Sequence, residues 1–136
     1  MKLTDNFSLN EFNSKDGAEM PAEVLENVLK LAVNLQTIRN EAGCAIHINS
    51  AYRSPAHNRA IGGAHKIVDG KRVETSQHVL GTAADLVSRN HTPLQLHSLI
   101  ESLIERGKIS QGGLGLYRSF CHYDIRSSGR ARWDNS

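Results

Sequence analysis

Apolar and polar positions follow two spacings along the chain, and the first of them predicts a long helix near the N-terminus. Residues 1–20 show no regular pattern, and the spacing then becomes helical from Pro21 until Gly43 ends it. Proline is favoured in the first turn of a helix, and glycine is favoured after its last residue. Apolar residues that recur every three or four positions indicate a helix with one buried face. The apolar stripe consists of Leu25, Val28, Ala32, Leu35, Ile38 and Ala42.

The rest of the chain predicts shorter elements. Strands are indicated where apolar residues alternate with polar ones or form short runs between turn residues. Helices are indicated where Ser-Pro or Thr-Pro precedes a helical spacing that glycine ends. The predicted strands are 45–49, 83–87, 112–116 and 121–125, and the two further helices begin at Ser54-Pro55 and Thr92-Pro93 and end at Gly62-Gly63 and Gly107.

A charged segment over His65–Thr75 predicts a β-hairpin. Asp69-Gly70 lies there between two short apolar pairs, and Asp-Gly in that setting is a strong hairpin signal. The chain has no internal repeat and no low-complexity segment. We therefore predict a single α+β domain over residues 1–136, in which helices pack on one face of a small antiparallel sheet.

Composition and charge exclude several classes of protein. A chain of 136 residues with 39% hydrophobic and 22% charged residues can bury a core as one globular domain. The net charge of +2 is small and the basic residues are scattered, which argues against a nucleic-acid partner. Cys44 and Cys121 form no CxxC, so we predict neither a disulfide framework nor a thiolate zinc site. No apolar run approaches the roughly 20 residues of a membrane span. We expect the protein to be a monomer.

One carboxylate lies in an otherwise apolar strand. Asp85 is flanked by apolar residues, and a run of small residues separates it from His78 in the preceding loop. Small residues let the backbone turn sharply and let another group approach closely. A buried carboxylate requires a partner, because an unpaired buried charge is very costly. The sequence leaves two partners open for Asp85, a metal ion or an arginine.

The last predicted strand carries two more polar residues. His122 and Asp124 share one face, because side chains two apart in a strand point the same way. Cys121 points to the opposite face, which argues against a Cys121–His122 nucleophile pair. If this strand neighbours the strand of Asp85, two imidazoles and one carboxylate converge at His78, Asp85 and His122. That set suits a catalytic zinc ion with one open position, and a buried ion-pair network is the alternative.

Four segments of the chain carry a specific combination of motifs. They are residues 50–55, 58–64, 76–85 and 120–126, and they include the patterns SxYRSP, SxHxxGxAxD and HxD in that order. Together they resemble the zinc D-alanyl-D-alanine carboxypeptidase family of metallopeptidases. That family shares a fold superfamily with lysostaphin-like enzymes and hedgehog signalling domains. The likeness extends from Phe7 to Trp133.

The resemblance implies a role for each matching residue. The residues that would ligate one zinc ion are His78, Asp85 and His122. Arg53 would grip a substrate carboxylate through two parallel hydrogen bonds, which a planar guanidinium does well. Ser76 and Gln77 would line the cleft beside it. The implied substrate is a peptidoglycan stem peptide, cut at D-alanine or at an adjacent L–D or D–D linkage.

The implied reaction is metal-assisted hydrolysis. Zinc would lower the pKa of a bound water towards about 7 and polarise the scissile carbonyl. Asp124, two positions beyond the last ligand, is predicted as the general base or as the residue that orients His122. Some relatives instead place an acidic residue three positions before the last histidine, where this chain has Ser119.

The His65–Thr75 hairpin departs from the family pattern. Relatives pass almost directly from the Gly-Gly-Ala turn to the Ser-x-His motif, whereas this chain inserts the hairpin between them. Two interpretations are open. The hairpin is a tolerated surface insertion, or it borders the cleft and restricts which wall peptides enter.

Two other functions stay open beside the enzyme. One is a non-catalytic, zinc-stabilised module that binds cell wall or protein, and the other is a protein whose histidines and aspartates form structural ion pairs without a metal. A binding module has no need of an open coordination position together with Arg53 and Asp124, so we favour the enzyme. Residues 1–12 lack the apolar segment of a signal peptide. We therefore expect action on the cell wall through phage-type release, or a secreted enzyme expressed without its leader.

Overall fold

Helix α1 (Ala22–Ala42) is the longest element of the computed structural model, which describes all residues from Met1 to Ser136. Its buried residues include most of the predicted apolar stripe, so the prediction of this helix is confirmed. None of the helices combines the length and apolar character needed to cross a membrane. The remaining helices are α2 (Pro55–Ala60), α3 (Gln77–Leu80) and α4 (Pro93–Glu105), and a short 3-10 helix spans Leu9–Phe12.

Seven strands form a five-stranded sheet and a separate hairpin. They are β1 (Ile46–Ser50), β2 (His65–Val68), β3 (Lys71–Glu74), β4 (Ala83–Ser88), β5 (Gly113–Tyr117), β6 (Cys121–Asp124) and β7 (Ala131–Asn135). The sheet has the order β1-β4-β6-β5-β7, and β2 pairs with β3 alone. The predicted hairpin is therefore confirmed, and each predicted strand differs from the observed one by at most one residue at either end.

The sheet is mixed, which corrects the prediction of a purely antiparallel sheet. Strand β7 runs parallel to β5, with Gly113 opposite Ala131, while all other neighbouring pairs are antiparallel. Strand β7 runs in the opposite direction to β6, the strand before it in the chain, but it pairs with the far edge of β5 and is therefore parallel to β5. Strand β7 escaped prediction because Trp133 is its only large apolar residue, so its alternation is weak.

The hydrophobic core lies on one face of the sheet. Helix α4 packs on β4, β5 and β6, and α1 packs on α4. Cys121 and Tyr123 of β6 belong to this core, and burial raises the pKa of Cys121 to about 12. The intervening His122 lies on the opposite face, as strand alternation predicts. The α+β class with helices on one face of the sheet is thus confirmed, and the other face is free to carry a site.

Candidate metal centre

Three residues proposed as ligands meet on the sheet face opposite the core. Asp85 on β4 is paired directly with His122 on β6, and His78 belongs to α3, which packs on β4. All three are buried, with exposed fractions of 6%, 7% and 3% respectively. One ligand atom from each lies within 4.8 Å of the other two. The fold therefore brings together residues that are far apart in the sequence.

His78 lies in a one-turn helix rather than in the loop that the sequence predicts. The Ser76 hydroxyl caps this helix by accepting a hydrogen bond from the backbone N–H of His78 at 3.2 Å. Gly81 ends the helix with φ of 78°, and a Cβ there would lie 2.7 Å from the Val24 side chain of α1. Glycine thus permits both the left-handed turn and the close packing of α3 against α1, which fixes the position of His78.

Hydrogen bonds around the two histidines determine which ring nitrogen faces the cluster. Nδ1 of His78 donates to the carbonyl oxygen of Ala51 at 2.7 Å, which leaves Nε2 facing Oδ1 of Asp85 at 3.3 Å. Nε2 of His122 donates to Oδ2 of Asp124 at 2.6 Å, and its Nδ1 lies 3.1 Å from the same oxygen of Asp85. Metal-binding histidines commonly donate their outer N–H to such a carbonyl or carboxylate.

The donor set fits a zinc ion. When both rings are neutral, the nitrogens that face Asp85 carry lone pairs, as does the carboxylate oxygen between them. These atoms repel one another unless protons or a cation lie between them. Two imidazole nitrogens and one carboxylate oxygen are the ligands of a catalytic zinc ion that keeps its fourth position open. The chemistry of the cluster therefore matches the metal that the sequence predicts.

The pKa values of Asp85 and His122 shift in opposite directions. Burial opposes ionisation of Asp85, but hydrogen bonds from His122 and His78 outweigh it and hold the pKa of this carboxyl below its ordinary value. Burial likewise disfavours charge on His122, yet hydrogen bonds to Asp124 and Asp85 raise the pKa of its imidazole. Metal ligands must be deprotonated, so a cation held by these residues would displace protons from them as it binds.

Asp124 is completely buried and its two oxygens accept five hydrogen bonds. Oδ1 accepts from the backbone N–H of Gly113 at 2.9 Å, and from the backbone N–H and Nε of Arg126 at 3.1 and 2.8 Å. Oδ2 accepts from a terminal nitrogen of Arg126 at 2.7 Å and from His122. The carboxylate lies at the ring nitrogen that faces away from Asp85. This position suits a residue that orients His122 better than it suits a general base.

Arg53, Ser76 and Gln77 all line one cavity with the cluster, as the sequence predicts. The cavity has a volume of about 420 Å³. A terminal nitrogen of Arg53 lies 3.5 Å from Oδ2 of Asp85, and burial lowers the pKa of this arginine while Asp85 partly offsets the effect. A larger cavity of about 990 Å³ opens near the start of β1, but it contains no such cluster. Chemistry rather than size therefore identifies the site.

The cavity residues that were not predicted as site residues include Tyr117, Phe120, Arg126 and Trp133. The ring of Tyr117 stacks on that of Phe120 with centroids 4.4 Å apart, and its hydroxyl accepts a hydrogen bond from Nε1 of Trp133 at 3.0 Å. Trp133 also packs against the ring of His122, and the guanidinium of Arg126 lies over the ring of Trp133. Arg126 continues the strand alternation that places His122 on this face, and that signal could have revealed it. Trp133 carries no such signal, because its strand is not apparent in the sequence.

Two histidines and one aspartate form a buried group that lines a cavity, on the sheet face opposite the core. This arrangement in a small α+β domain defines a candidate mononuclear metalloenzyme. Residues 4–124 match the family model described as Peptidase M15. Because the match covers most of the chain, the protein belongs to this family, the zinc D-Ala-D-Ala carboxypeptidase-like peptidases. A search of curated proteins finds no match. Family membership makes the chain a peptidase with a peptide substrate.

Proposed function

We propose that this protein is a zinc peptidase that hydrolyses the stem peptides of peptidoglycan, at D-alanine or at an adjacent L–D or D–D linkage. The observation that carries the proposal is the convergence of ligand atoms from His78, Asp85 and His122 beside the guanidinium of Arg53. In this proposal residues 1–136 form one catalytic domain, with 65–75 as an inserted hairpin. Its substrate lies in the cell wall, which the enzyme reaches by phage-type release or after export.

Each residue of the cluster has a distinct task in the proposed reaction. His78, Asp85 and His122 hold the zinc ion, which when bound activates a water molecule and polarises the scissile carbonyl. Asp124 keeps the outer nitrogen of His122 protonated and the ring in place. Of the two roles that the sequence allows for Asp124, we therefore propose the orienting one.

Arg53 sets the position of the scissile bond. Its side chain is mostly buried, so its charge is poorly screened by water. Each of its terminal nitrogens has one partner, Asn58 at 3.3 Å and Asp85 at 3.5 Å, so each keeps a second N–H with which to bind a carboxylate of the peptide. A guanidinium that grips a carboxylate by two hydrogen bonds fixes both distance and orientation. Fixing the peptide in this way contributes to catalysis by proximity, and Ser76 and Gln77 line the same wall.

Tyr117 is our candidate for a donor to the reacting peptide. Its hydroxyl oxygen accepts from Trp133, which leaves the hydroxyl proton free to donate within the cavity. A donor in a water-poor site stabilises negative charge that develops on the carbonyl oxygen. Ser119 faces a different cavity, near α4, and does not serve the site.

Replacing Tyr117 by phenylalanine tests this role. We expect kcat to fall about 10- to 100-fold with zinc content unchanged, because one hydrogen bond to a developing charge is lost. Steady-state kinetics on a purified muropeptide and metal analysis provide the measurement. Tyr52→Phe is the matched control, because Tyr52 is buried outside this cavity. A Tyr117→Phe enzyme with the kcat of the wild type would remove Tyr117 from the mechanism.

Digestion of purified peptidoglycan by the zinc-loaded protein, followed by mass spectrometry of the fragments, tests the proposed function. Release of D-alanine identifies a carboxypeptidase, and shortened cross-links identify an endopeptidase. His78→Ala serves as the inactive control. If the protein holds zinc but leaves the stem peptides of peptidoglycan uncleaved, the proposal is contradicted and the non-catalytic binding module is favoured.

A further inference from the structure

The inserted hairpin β2–β3 is anchored at the proposed active site. Its strands are largely exposed, but the residues at its base, Ala64 and Thr75, line the cavity. The backbone N–H of Thr75 donates to the carbonyl oxygen of Ala64 at 3.0 Å and closes the base. The insertion thus begins and ends at the wall of the cavity.

Asn58, within α2, connects this hairpin to Arg53. Its side chain is completely buried, and its Oδ1 accepts a hydrogen bond from a terminal nitrogen of Arg53 at 3.3 Å. Its Nδ2 donates to Glu74 of the hairpin at 3.0 Å and to the carbonyl oxygen of Ala64 at 3.2 Å. A Cβ at position 63 would lie 1.8 Å from Oδ1 of Asn58, so Gly63 makes room for the amide.

The partners of Asn58 leave its amide only one orientation. Arg53 can only donate, whereas the Glu74 carboxylate and the Ala64 carbonyl can only accept. The amide oxygen must therefore face Arg53, and the amide nitrogen must face the hairpin. Rotation of the amide by 180° would place N–H groups against the guanidinium and leave buried polar groups without partners, which is costly.

Glu74 is itself held by its own strand. Nε and a terminal nitrogen of Arg72 donate to its two carboxylate oxygens at 2.8 and 3.0 Å. The ion pair keeps one oxygen of Glu74 directed at Asn58. A chain of contacts thus runs from Arg72 through Glu74 and Asn58 to Arg53.

We propose that the β2–β3 hairpin is a positioning element for Arg53, and that Glu74 and Asn58 are the positioning residues through which it acts. The proposal rests on the proposed function, in which Arg53 binds a carboxylate of the peptide. Arg53 has two further contacts, its Nε with Ser50 at 3.3 Å and a terminal nitrogen with Asp85 at 3.5 Å. The Asn58 contact is similar to these in length, but its acceptor is an amide that the hairpin holds in one orientation, and this is how the hairpin acts on the plane of the guanidinium. The hairpin sets the affinity for substrates with that carboxylate.

Glu74→Ala tests the proposal with two versions of one muropeptide, with the carboxylate that Arg53 binds either free or converted to a carboxamide. We expect KM for the free carboxylate to rise about three- to tenfold, with kcat little changed, because the Asn58 amide loses its fixed orientation. KM for the carboxamide stays the same. Glu74→Gln keeps an acceptor oxygen and restores most of the affinity. Lys71→Gln, exposed on the same hairpin, is the control and leaves both values unchanged.

A second readout does not depend on activity. In NMR spectra of the metal-free protein, the Nε–H group of Arg53 is expected to be rigid in the wild type and in Lys71→Gln, and mobile in Glu74→Ala. An equally rigid Arg53 in Glu74→Ala, or an equal rise of KM for both substrates, would overturn the positioning role. If the wild type cleaves no muropeptide, the proposed function fails, and the rigidity of Arg53 still decides whether the hairpin positions it.

Discussion

Replacing His78 by alanine abolishes zinc binding and peptidase activity together. His78 contributes one of the three converging ligand atoms, and its ring is held from behind by the Ala51 carbonyl. Even the loss of an outer hydrogen-bond partner lowers metal affinity about 10- to 100-fold, so the loss of a ligand is expected to cost more. Metal analysis after dialysis and a muropeptide cleavage assay provide the measurement.

The matched control for this variant is His47→Ala. His47 is an exposed histidine on β1, outside the cavity that holds the cluster. The His47→Ala variant should retain one zinc ion per chain and full activity. If His78→Ala also kept a stoichiometric zinc ion, the assignment of His78 as a ligand would be wrong.

Asp124→Asn lowers both kcat and zinc affinity without emptying the site. Asparagine has the shape of aspartate but no charge, so it holds the His122 N–H more weakly and leaves Arg126 without its partner. We expect kcat and zinc affinity each to fall about 10- to 100-fold, because a metal-binding histidine loses its charged outer partner. Steady-state kinetics with excess zinc and a chelator competition assay measure the two effects.

The same variant separates the two roles of Asp124. An orienting residue acts through His122, so its loss changes metal affinity and turnover together. A general base affects turnover alone, and a large loss of kcat with unaltered zinc affinity would contradict the orienting role. Asp134→Asn is the control, because Asp134 is exposed and its side chain contacts only Ser136.

Strand alternation correctly assigns the residues of β6 to the two faces of the sheet. It assigns His122 and Asp124 to one face of β6 and Cys121 to the other, and the structure agrees. The isolated carboxylate of Asp85 in an apolar strand is an equally local signal. What these patterns do not contain is the pairing of β4 with β6, which depends on packing between distant segments.

The orientation of the His78 and His122 rings could not be predicted, because it depends on hydrogen-bond partners that only the fold provides. The Ala51 carbonyl lies 27 residues before His78 in the sequence and fixes its tautomer. The five donors around Asp124 argue for its orienting role, yet its spacing from His122 is equally consistent with a base. The link from Glu74 through Asn58 to Arg53 likewise joins side chains whose proximity no sequence pattern indicates.

The wall formed by β7 was missed for a different reason. A short strand with one large apolar residue resembles a polar tail, so nothing local indicates that Trp133 returns to the site. In the structure its indole contacts both His122 and Tyr117. The cavity therefore owes one side to a strand that runs parallel to β5, the feature in which the predicted sheet was incomplete.

Anomalous scattering at the zinc absorption edge, from crystals of the protein grown with zinc, tests the proposed metal centre directly. We expect a single peak within bonding distance of Nε2 of His78, Nδ1 of His122 and a carboxylate oxygen of Asp85, about 2.0–2.2 Å from each. A crystal with no peak at these atoms, or with its zinc ion bound elsewhere, would contradict the metal centre and the hydrolytic function proposed from it.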